Sequence, residues 1–138
     1  MSQIIYGILE SLYDEKEGWT YNPLYFSKSY EEAYSFLTDE PFIDSGRKNP
    51  NANYSVVVYR LFGQSTSNYM FIVSELNIPT SQEFALYMTS DLDDASDYMN
   101  RQTVFIDLRD TALYINKVYF DSLIFDGIIN EQQIASFN

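Results

Sequence analysis

Residues 81–101 read SQEFALYMTSDLDDASDYMNR, and the fold of the whole chain depends on how this stretch is interpreted. Thr80 stands three residues before Glu83, which is the spacing of a helix capping box. The pattern predicts either one broken helix or two short helices, with a fresh start at Ser90 or Asp91. The inner face of the first helix would carry Phe84, Tyr87 and Met88.

The second predicted helix begins with four aspartates in seven residues: Asp91, Asp93, Asp94 and Asp97. On a helix, side chains three or four residues apart are neighbours, so these carboxylates would lie roughly 5–6 Å apart. No Lys or Arg occurs between Arg60 and Arg101. Aspartate at a helix start also caps the helix and opposes its dipole, which accounts for one or two of the four. The pattern therefore indicates either an acidic interaction surface or a solvated helix face.

The charge of the whole chain points to a basic partner. The 20 acidic and 8 basic residues give a net charge of −12. Splitting the chain after Tyr69 leaves 9 acids and 5 bases (−4) before the cut and 11 acids and 3 bases (−8) after it. Such a chain repels nucleic acid and anionic membranes. We therefore expect a basic partner protein, with no direct binding to nucleic acid and no membrane association.

Length and composition predict a single folded domain over residues 1–138, since 46% of the chain is hydrophobic and 17% aromatic. Ser29 and Glu32 form another capping box, which predicts a helix, and a tail helix is predicted from Glu131. Asp126 and Gly127 indicate a two-residue type I′ hairpin. The fold class is thus α+β, a mostly antiparallel sheet of five or six strands with two or three helices packed on one face. Strands are predicted at 3–13, 54–62, 69–76, 103–108 and 113–120. The strands at 54–62 and 69–76 are predicted to pair as a hairpin.

The inventory of reactive side chains is short, because the chain has no histidine and no cysteine. Ser-His and Cys-His dyads, disulfides and thiolate zinc sites are therefore excluded. A calcium-binding loop at 91–102 would need Gly in place of Ser96 and Glu in place of Gln102. We expect no catalytic residue, cofactor or metal. The N-terminal sequence MSQIIYGILESLYDE lacks the basic region of a signal peptide, so we expect a cytoplasmic protein.

Two short segments carry a resemblance to a known scaffold. The sequence YFSKS at 25–29, between a strand and a helix, and FDGII at 125–129 resemble the ADP-ribosyltransferase scaffold with its serine-containing second motif. The first strand lacks the Arg or His which that family uses to hold its dinucleotide, and no catalytic acid motif is found. The resemblance implies a degenerate small-ligand or nucleotide-binding domain, with a polar pocket near Ser27 and Ser29.

Three functions follow as hypotheses. The first is a non-enzymatic acidic binding or inhibitor protein that engages the basic surface of a nuclease or other nucleic-acid-binding protein, as a DNA mimic. In composition it is similar to phage anti-CRISPR, anti-restriction and nuclease-immunity proteins. The others are the nucleotide-binding domain just described and a structural or oligomerisation module, which leaves a homodimer open. For the first hypothesis the partner-binding residues are Glu75, Glu83, Tyr87, Asp91, Asp93, Asp94, Asp97 and Tyr98.

Overall fold

A computed structural model describes residues 2–107 and 109–137. Contacts within the chain divide it into two compact units. The first unit comprises Ile4–Tyr59 and Phe120–Phe125. The second unit comprises Met1–Gln3, Arg60–Tyr119 and Asp126–Asn138. The single domain expected over residues 1–138 stays a prediction.

The described residues form seven strands, three α-helices and one 3-10 turn, so the α+β class is confirmed and the count of five or six strands was too low. Four strand pairings within the described residues are antiparallel and one, between Phe62 and Thr89, is parallel, which confirms a mostly antiparallel arrangement. The strands are β1 Ser2–Asp14, β2 Gly18–Ser27, β3 Asn53–Phe62, β4 Tyr69–Asn77, β5 Gln82–Thr89, β6 Thr111–Tyr119 and β7 Gln132–Phe137. The helices are α1 Tyr30–Phe36, α2 Glu40–Asp44 and α3 Leu92–Gln102, and the 3-10 turn is Ile128–Asn130.

In the first unit, β1 lies between β2 and β3. The β1 and β2 strands form an antiparallel hairpin in which Tyr13 stands opposite Trp19. The turn is closed by the Asp14 side chain, whose Oδ1 accepts a 2.7 Å hydrogen bond from the backbone N–H of Lys16. The strand predicted at 3–13 is confirmed.

Helix α1 begins where its sequence predicts, because Ser29 Oγ accepts a 3.3 Å hydrogen bond from the backbone N–H of Glu32. Its Phe36 stacks on Tyr25 of β2, with ring centroids 4.0 Å apart. The connection between α1 and β3 contains the short helix α2, whose Phe42 is fully buried. One cluster of buried core residues in this unit consists of Ile8, Leu24, Tyr25, Ala33, Phe36 and Phe42.

In the second unit, the strand order is β5-β4-β6-β7, and every one of these pairings is antiparallel. The end of β3 lies parallel to β5, with Phe62 opposite Thr89. Helix α3 covers one face of these strands, where its Ala95 and Met99 are buried. The strand residues of that core are Phe71, Val73, Leu113 and Ile115. The 3-10 turn lies near β6, where Asn116 Nδ2 donates to the backbone oxygens of Ile129 and Glu131.

The helix predicted over 80–90 is wrong, because these residues contribute strand β5. A β-bulge explains the helical spacing. On β4, Val73 pairs with Tyr87 and Glu75 pairs with Phe84, so β5 carries one extra residue between the two pairs. The bulge places Phe84 and Tyr87 three residues apart on the same face, which reproduces the spacing of a helix.

The predicted hairpin between 54–62 and 69–76 is also wrong, although both segments are strands. The neighbours of β4 are β5 and β6, so β5 lies between β3 and β4. The connection at 63–68 must therefore span two strand spacings, about 10 Å, which six residues bridge easily.

Three predictions near the helix ends and the tail are wrong. The described part of the predicted strand at 103–108 forms turns and a bend, and Leu108 lies outside the described residues. The predicted tail helix from Glu131 is strand β7, where a register shift at Ile134 breaks the alternation. Gly127, with φ 89° and ψ 160°, leads into the 3-10 turn instead of forming a type I′ hairpin.

Candidate functional site

Helix α3 is capped by Asp91, one of the two starts, Ser90 or Asp91, that the sequence predicts. The Asp91 side chain accepts a 3.0 Å hydrogen bond from the backbone N–H of Asp93, which satisfies one of the free donors of the first turn. The backbone N–H of Asp91 donates to Thr89 Oγ1 at 3.2 Å. These two bonds fix the start of the helix directly at the end of β5.

Three of the four predicted aspartates are exposed: Asp91, Asp93 and Asp97. Asp93 and Asp97 stand four residues apart, so their carboxylates lie on the same side of α3. In residues 2–107 and 109–137, the ion pairs join Arg47 to Glu10 and Arg109 to Asp107, and none involves these three aspartates. We call Asp91, Asp93 and Asp97 the acidic face of α3.

Asp94 points toward β5 instead of joining the acidic face. Its Oδ2 accepts hydrogen bonds from the Tyr87 hydroxyl at 2.7 Å and from Thr89 Oγ1 at 2.8 Å. Burial, followed by the hydrogen bond to Asp94 and its negative charge, raises the pKa of Tyr87 to about 12. The tyrosine is therefore neutral at physiological pH, and its hydroxyl donates a hydrogen bond to the carboxylate. Asp94 attaches the first turn of α3 to the strand beneath it.

The two predicted contact tyrosines stack on each other. The rings of Tyr87 and Tyr98 are 4.2 Å apart and parallel within 2°. Tyr87 also stacks on Phe62, at 4.9 Å. Both tyrosines are partly buried and pack against the core of the second unit.

The two glutamates of the predicted set lie on opposite faces of the strands. Glu75 on β4 is two residues from Val73, so it shares the face that α3 covers. Glu83 pairs with Leu76, the next position along β4, and therefore lies on the opposite face. Glu83 is thus separated from the acidic face of α3.

Glu83 holds the 3-10 turn in place. Its Oε1 accepts a 2.7 Å hydrogen bond from the backbone N–H of Ile128, and its Oε2 accepts a 3.4 Å bond from that of Ile129. Burial raises the pKa of Glu83, and the two backbone hydrogen bonds oppose that shift without cancelling it. A Cβ at Gly127 would lie 2.8 Å from Glu83 Oε1, so the turn needs glycine here for space as well as for its positive φ.

A buried ion pair in the first unit was not anticipated from the sequence. Arg47 makes two parallel hydrogen bonds to Glu10, of 2.8 and 2.9 Å, and the Tyr54 hydroxyl donates a third at 2.7 Å. Glu10 is only 1% exposed. Burial acts to raise the pKa of Glu10, but the hydrogen bonds from Arg47 and Tyr54 and the charge of Arg47 outweigh it and hold the pKa below its usual value. In the sequence, Glu10 only interrupts an apolar run and gives no sign of its partner 37 residues away.

The serines behind the transferase resemblance are engaged in local bonds. Ser27 is fully buried, donates to Glu32 Oε2 at 3.3 Å and accepts from the backbone N–H of Ser29 at 3.1 Å. Ser29 caps α1. Both hydroxyls therefore serve the junction between β2 and α1. The nucleotide-binding hypothesis stays a prediction.

No three acidic side chains in residues 2–107 and 109–137 are grouped closely enough to hold a metal ion. No helix in that part of the chain combines the length and apolar character needed to cross a membrane. Comparison of the chain with protein-family models, with curated proteins and with solved structures finds no match in any of the three.

Proposed function

We propose that this chain is a non-enzymatic binding protein whose acidic face of α3 docks on a basic surface of a nucleic-acid-binding protein, such as a nuclease. In this role the helix occupies the surface that nucleic acid would otherwise contact, and so acts as a DNA mimic. The partner class follows from charge, since a strongly acidic chain is attracted to the positive surfaces that bind phosphate.

The observation that carries this proposal is the set of three exposed aspartates without an ion pair in the described residues. Helix α3 and its cap hold four carboxylates against the single base Arg101, a sum of −3. Asp94 accepts hydrogen bonds from the hydroxyls of Tyr87 and Thr89, which hold its carboxylate against β5. No ion pair in the described residues neutralises this carboxylate. Unpaired charges of one sign steer a partner of the opposite sign into place.

Apolar side chains at both ends of α3 support a protein as the partner. Leu92 is exposed between two aspartates at the start of the helix. Val104 and Phe105 follow the end of the helix with 77% and 79% of their surfaces exposed. Charged residues give direction and rate to association, whereas buried apolar and aromatic anchors supply most of the affinity. A helix with carboxylates along its side and apolar groups at its ends provides both.

The test is affinity capture from a lysate of the native host, eluted at low and at high salt and identified by mass spectrometry. The first variant, Asp91→Asn/Asp93→Asn/Asp97→Asn, removes the charge of the acidic face and keeps the side-chain shapes. The control variant, Glu31→Gln/Glu40→Gln/Asp44→Asn, removes three exposed charges from the first unit. The proposal predicts a basic nucleic-acid-binding protein that is held by the wild type and the control, released by salt or by added duplex DNA, and lost by the first variant.

A further inference from the structure

Three exposed aromatic rings lie in a row at the end of the β1–β2 hairpin, in the first unit. Tyr13, Trp19 and Tyr21 are 60%, 49% and 52% exposed. The rings of Tyr13 and Trp19 are 5.4 Å apart, and those of Trp19 and Tyr21 are stacked 6.4 Å apart. We call these three residues the aromatic row.

The strand register places the aromatic row on one face of the hairpin. Tyr13 pairs with Trp19 and Ser11 pairs with Tyr21, and paired residues of antiparallel strands share a face. Glu10, one residue from Ser11, lies on the opposite face, where it binds Arg47. The buried side of the hairpin is thus held by an ion pair, while the other side presents large ring surfaces to solvent. Contiguous exposed aromatic surface of this kind is typical of a binding site.

The turn beside the aromatic row is acidic. Asp14, Glu15 and Glu17 stand against the single base Lys16, a sum of −2, and all four side chains are exposed. Asp14 is held in place because its Oδ1 accepts from the backbone N–H groups of Lys16 and Glu17. Carboxylates here repel phosphate and other anions, and both the carboxylates and the ring faces attract a cation.

We propose that the aromatic row binds arginine side chains of a basic protein. This inference rests on the proposed function for the class of partner, but it uses a different surface and different contacts. Tryptophan is the best aromatic partner of a cation, and the planar guanidinium stacks on rings in a way that an ammonium does not. A guanidinium lying between two rings needs roughly 7 Å between the ring planes. The Trp19 and Tyr21 centroids are only 6.4 Å apart, so the guanidinium stacks on an exposed ring face of the row instead of entering between these two rings.

Trp19 is the only tryptophan of the chain, so its fluorescence reports on the aromatic row alone. The probes are a peptide of alternating arginine and glycine, the same peptide with lysine, and the same peptide with citrulline, which keeps the shape of arginine without its charge. We expect a saturable change in Trp19 emission with the arginine peptide. Affinity should be lower for lysine, and at least about tenfold lower for citrulline, because the charge and its attraction to the ring are lost.

Variants separate the aromatic row from general attraction to an acidic chain. Tyr21→Ala should lower the affinity for the arginine peptide about 3- to 30-fold. Tyr34→Ala, which removes another exposed tyrosine of the first unit, should leave the affinity for this peptide unchanged. Asp91→Asn/Asp93→Asn/Asp97→Asn should also leave the Trp19 response unchanged. Circular dichroism and thermal unfolding check that each variant is folded.

Three results would overturn the inference: an unchanged Trp19 emission, equal affinity for the citrulline peptide, or a response that disappears with the α3 variant. If the Trp19 emission does not change while capture of the partner still depends on α3, the proposal for the aromatic row is refuted and the proposed function stands. If Trp19 responds as expected but capture is indifferent to the α3 variant, the aromatic row is supported and the acidic face of α3 is refuted.

Discussion

The Tyr87 hydroxyl donates a 2.7 Å hydrogen bond to Oδ2 of Asp94, which also accepts one from Thr89. An aspartate in the middle of an acidic run therefore has a structural role, while its neighbour Asp93 is exposed to solvent. The run of aspartates divides into a residue that attaches α3 to β5 and residues that face outward. This division makes stability and binding separable by mutation.

Asp94→Ala should destabilise the protein by about 1–3 kcal/mol, because it leaves the hydroxyls of the partly buried Tyr87 and the buried Thr89 without their acceptor. Asp93→Ala is the matched control, since it removes an exposed carboxylate from the adjacent position of the same helix turn and should cost less than about 1 kcal/mol. Urea unfolding measures both. Equal losses of stability would show that the Asp94 bonds contribute nothing.

Removal of either partner of the buried ion pair should destabilise the protein by about 3–5 kcal/mol, because the remaining charge loses its counterpart inside the fold. Glu10→Leu and Arg47→Met test the two sides. The double variant should cost less than the sum of the two single ones, since it leaves no unpaired charge. Arg109→Met, which breaks the exposed pair with Asp107, serves as the control and should leave unfolding unchanged within error. Additive losses would argue against a coupled pair.

Glu10 also gives stability a pH dependence of known sign. Its pKa is lower in the folded protein than in the unfolded chain, so its ionised form stabilises the fold above the unfolded pKa, near 4.5. That contribution is lost as the pH falls through the folded pKa. Between neutral pH and about pH 3 the wild type should therefore lose more unfolding free energy than Glu10→Gln does. Chemical unfolding at several pH values measures the difference, and parallel curves for the two proteins would contradict the assignment.

Gly127→Ala should destabilise the 3-10 turn more than Gly18→Ala destabilises the β1–β2 turn. Both glycines have positive φ, 89° and 78°, so both substitutions carry the backbone cost of roughly 1–2 kcal/mol. Only at Gly127 would the new Cβ approach Glu83 Oε1, at 2.8 Å, whereas nothing lies within 4 Å at Gly18. Thermal unfolding compares the two variants. Adding Glu83→Ala should reduce the excess cost at Gly127, and an unchanged excess would place its origin elsewhere.

The elements that were predicted correctly depend on local chemistry. Ser29 and Glu32 start α1, and Asp91 starts α3, because each cap is completed within three residues of the chain. The strand at 3–13 is correct because both of its faces are covered over much of its length. Local hydrogen bonding and burial patterns are visible in a sequence.

The errors arise where distant parts of the chain decide the structure. Strand β5 looks helical because the bulge opposite Val73 sets Phe84 and Tyr87 three residues apart on one face. The β3–β4 hairpin fails because β5, which comes later in the chain, lies between them. The spacing of residues in the sequence predicts neither a bulge nor the order of the strands, since both depend on which strands pair.

The candidate site was predicted in part. Asp91, Asp93 and Asp97 are exposed, and Asp93 and Asp97 stand on the same side of α3. Asp94 does not join them, because it accepts hydrogen bonds from the hydroxyls of Tyr87 and Thr89. Glu83 does not join them either, because it accepts a hydrogen bond from the backbone N–H of Ile128. The orientation of an aspartate toward solvent or toward a neighbouring strand is fixed by the strand on which its helix packs, which the charge pattern alone does not contain.

The most direct measurement is the affinity of the captured partner for the wild type and for Asp91→Asn/Asp93→Asn/Asp97→Asn over a series of salt concentrations. If the acidic face of α3 is the binding surface, the wild type binds at least about tenfold more tightly at low salt, and the two affinities converge as salt screens the charges. The Glu31→Gln/Glu40→Gln/Asp44→Asn control should follow the wild type. Equal affinity of the α3 variant and the wild type at every salt concentration would contradict the account.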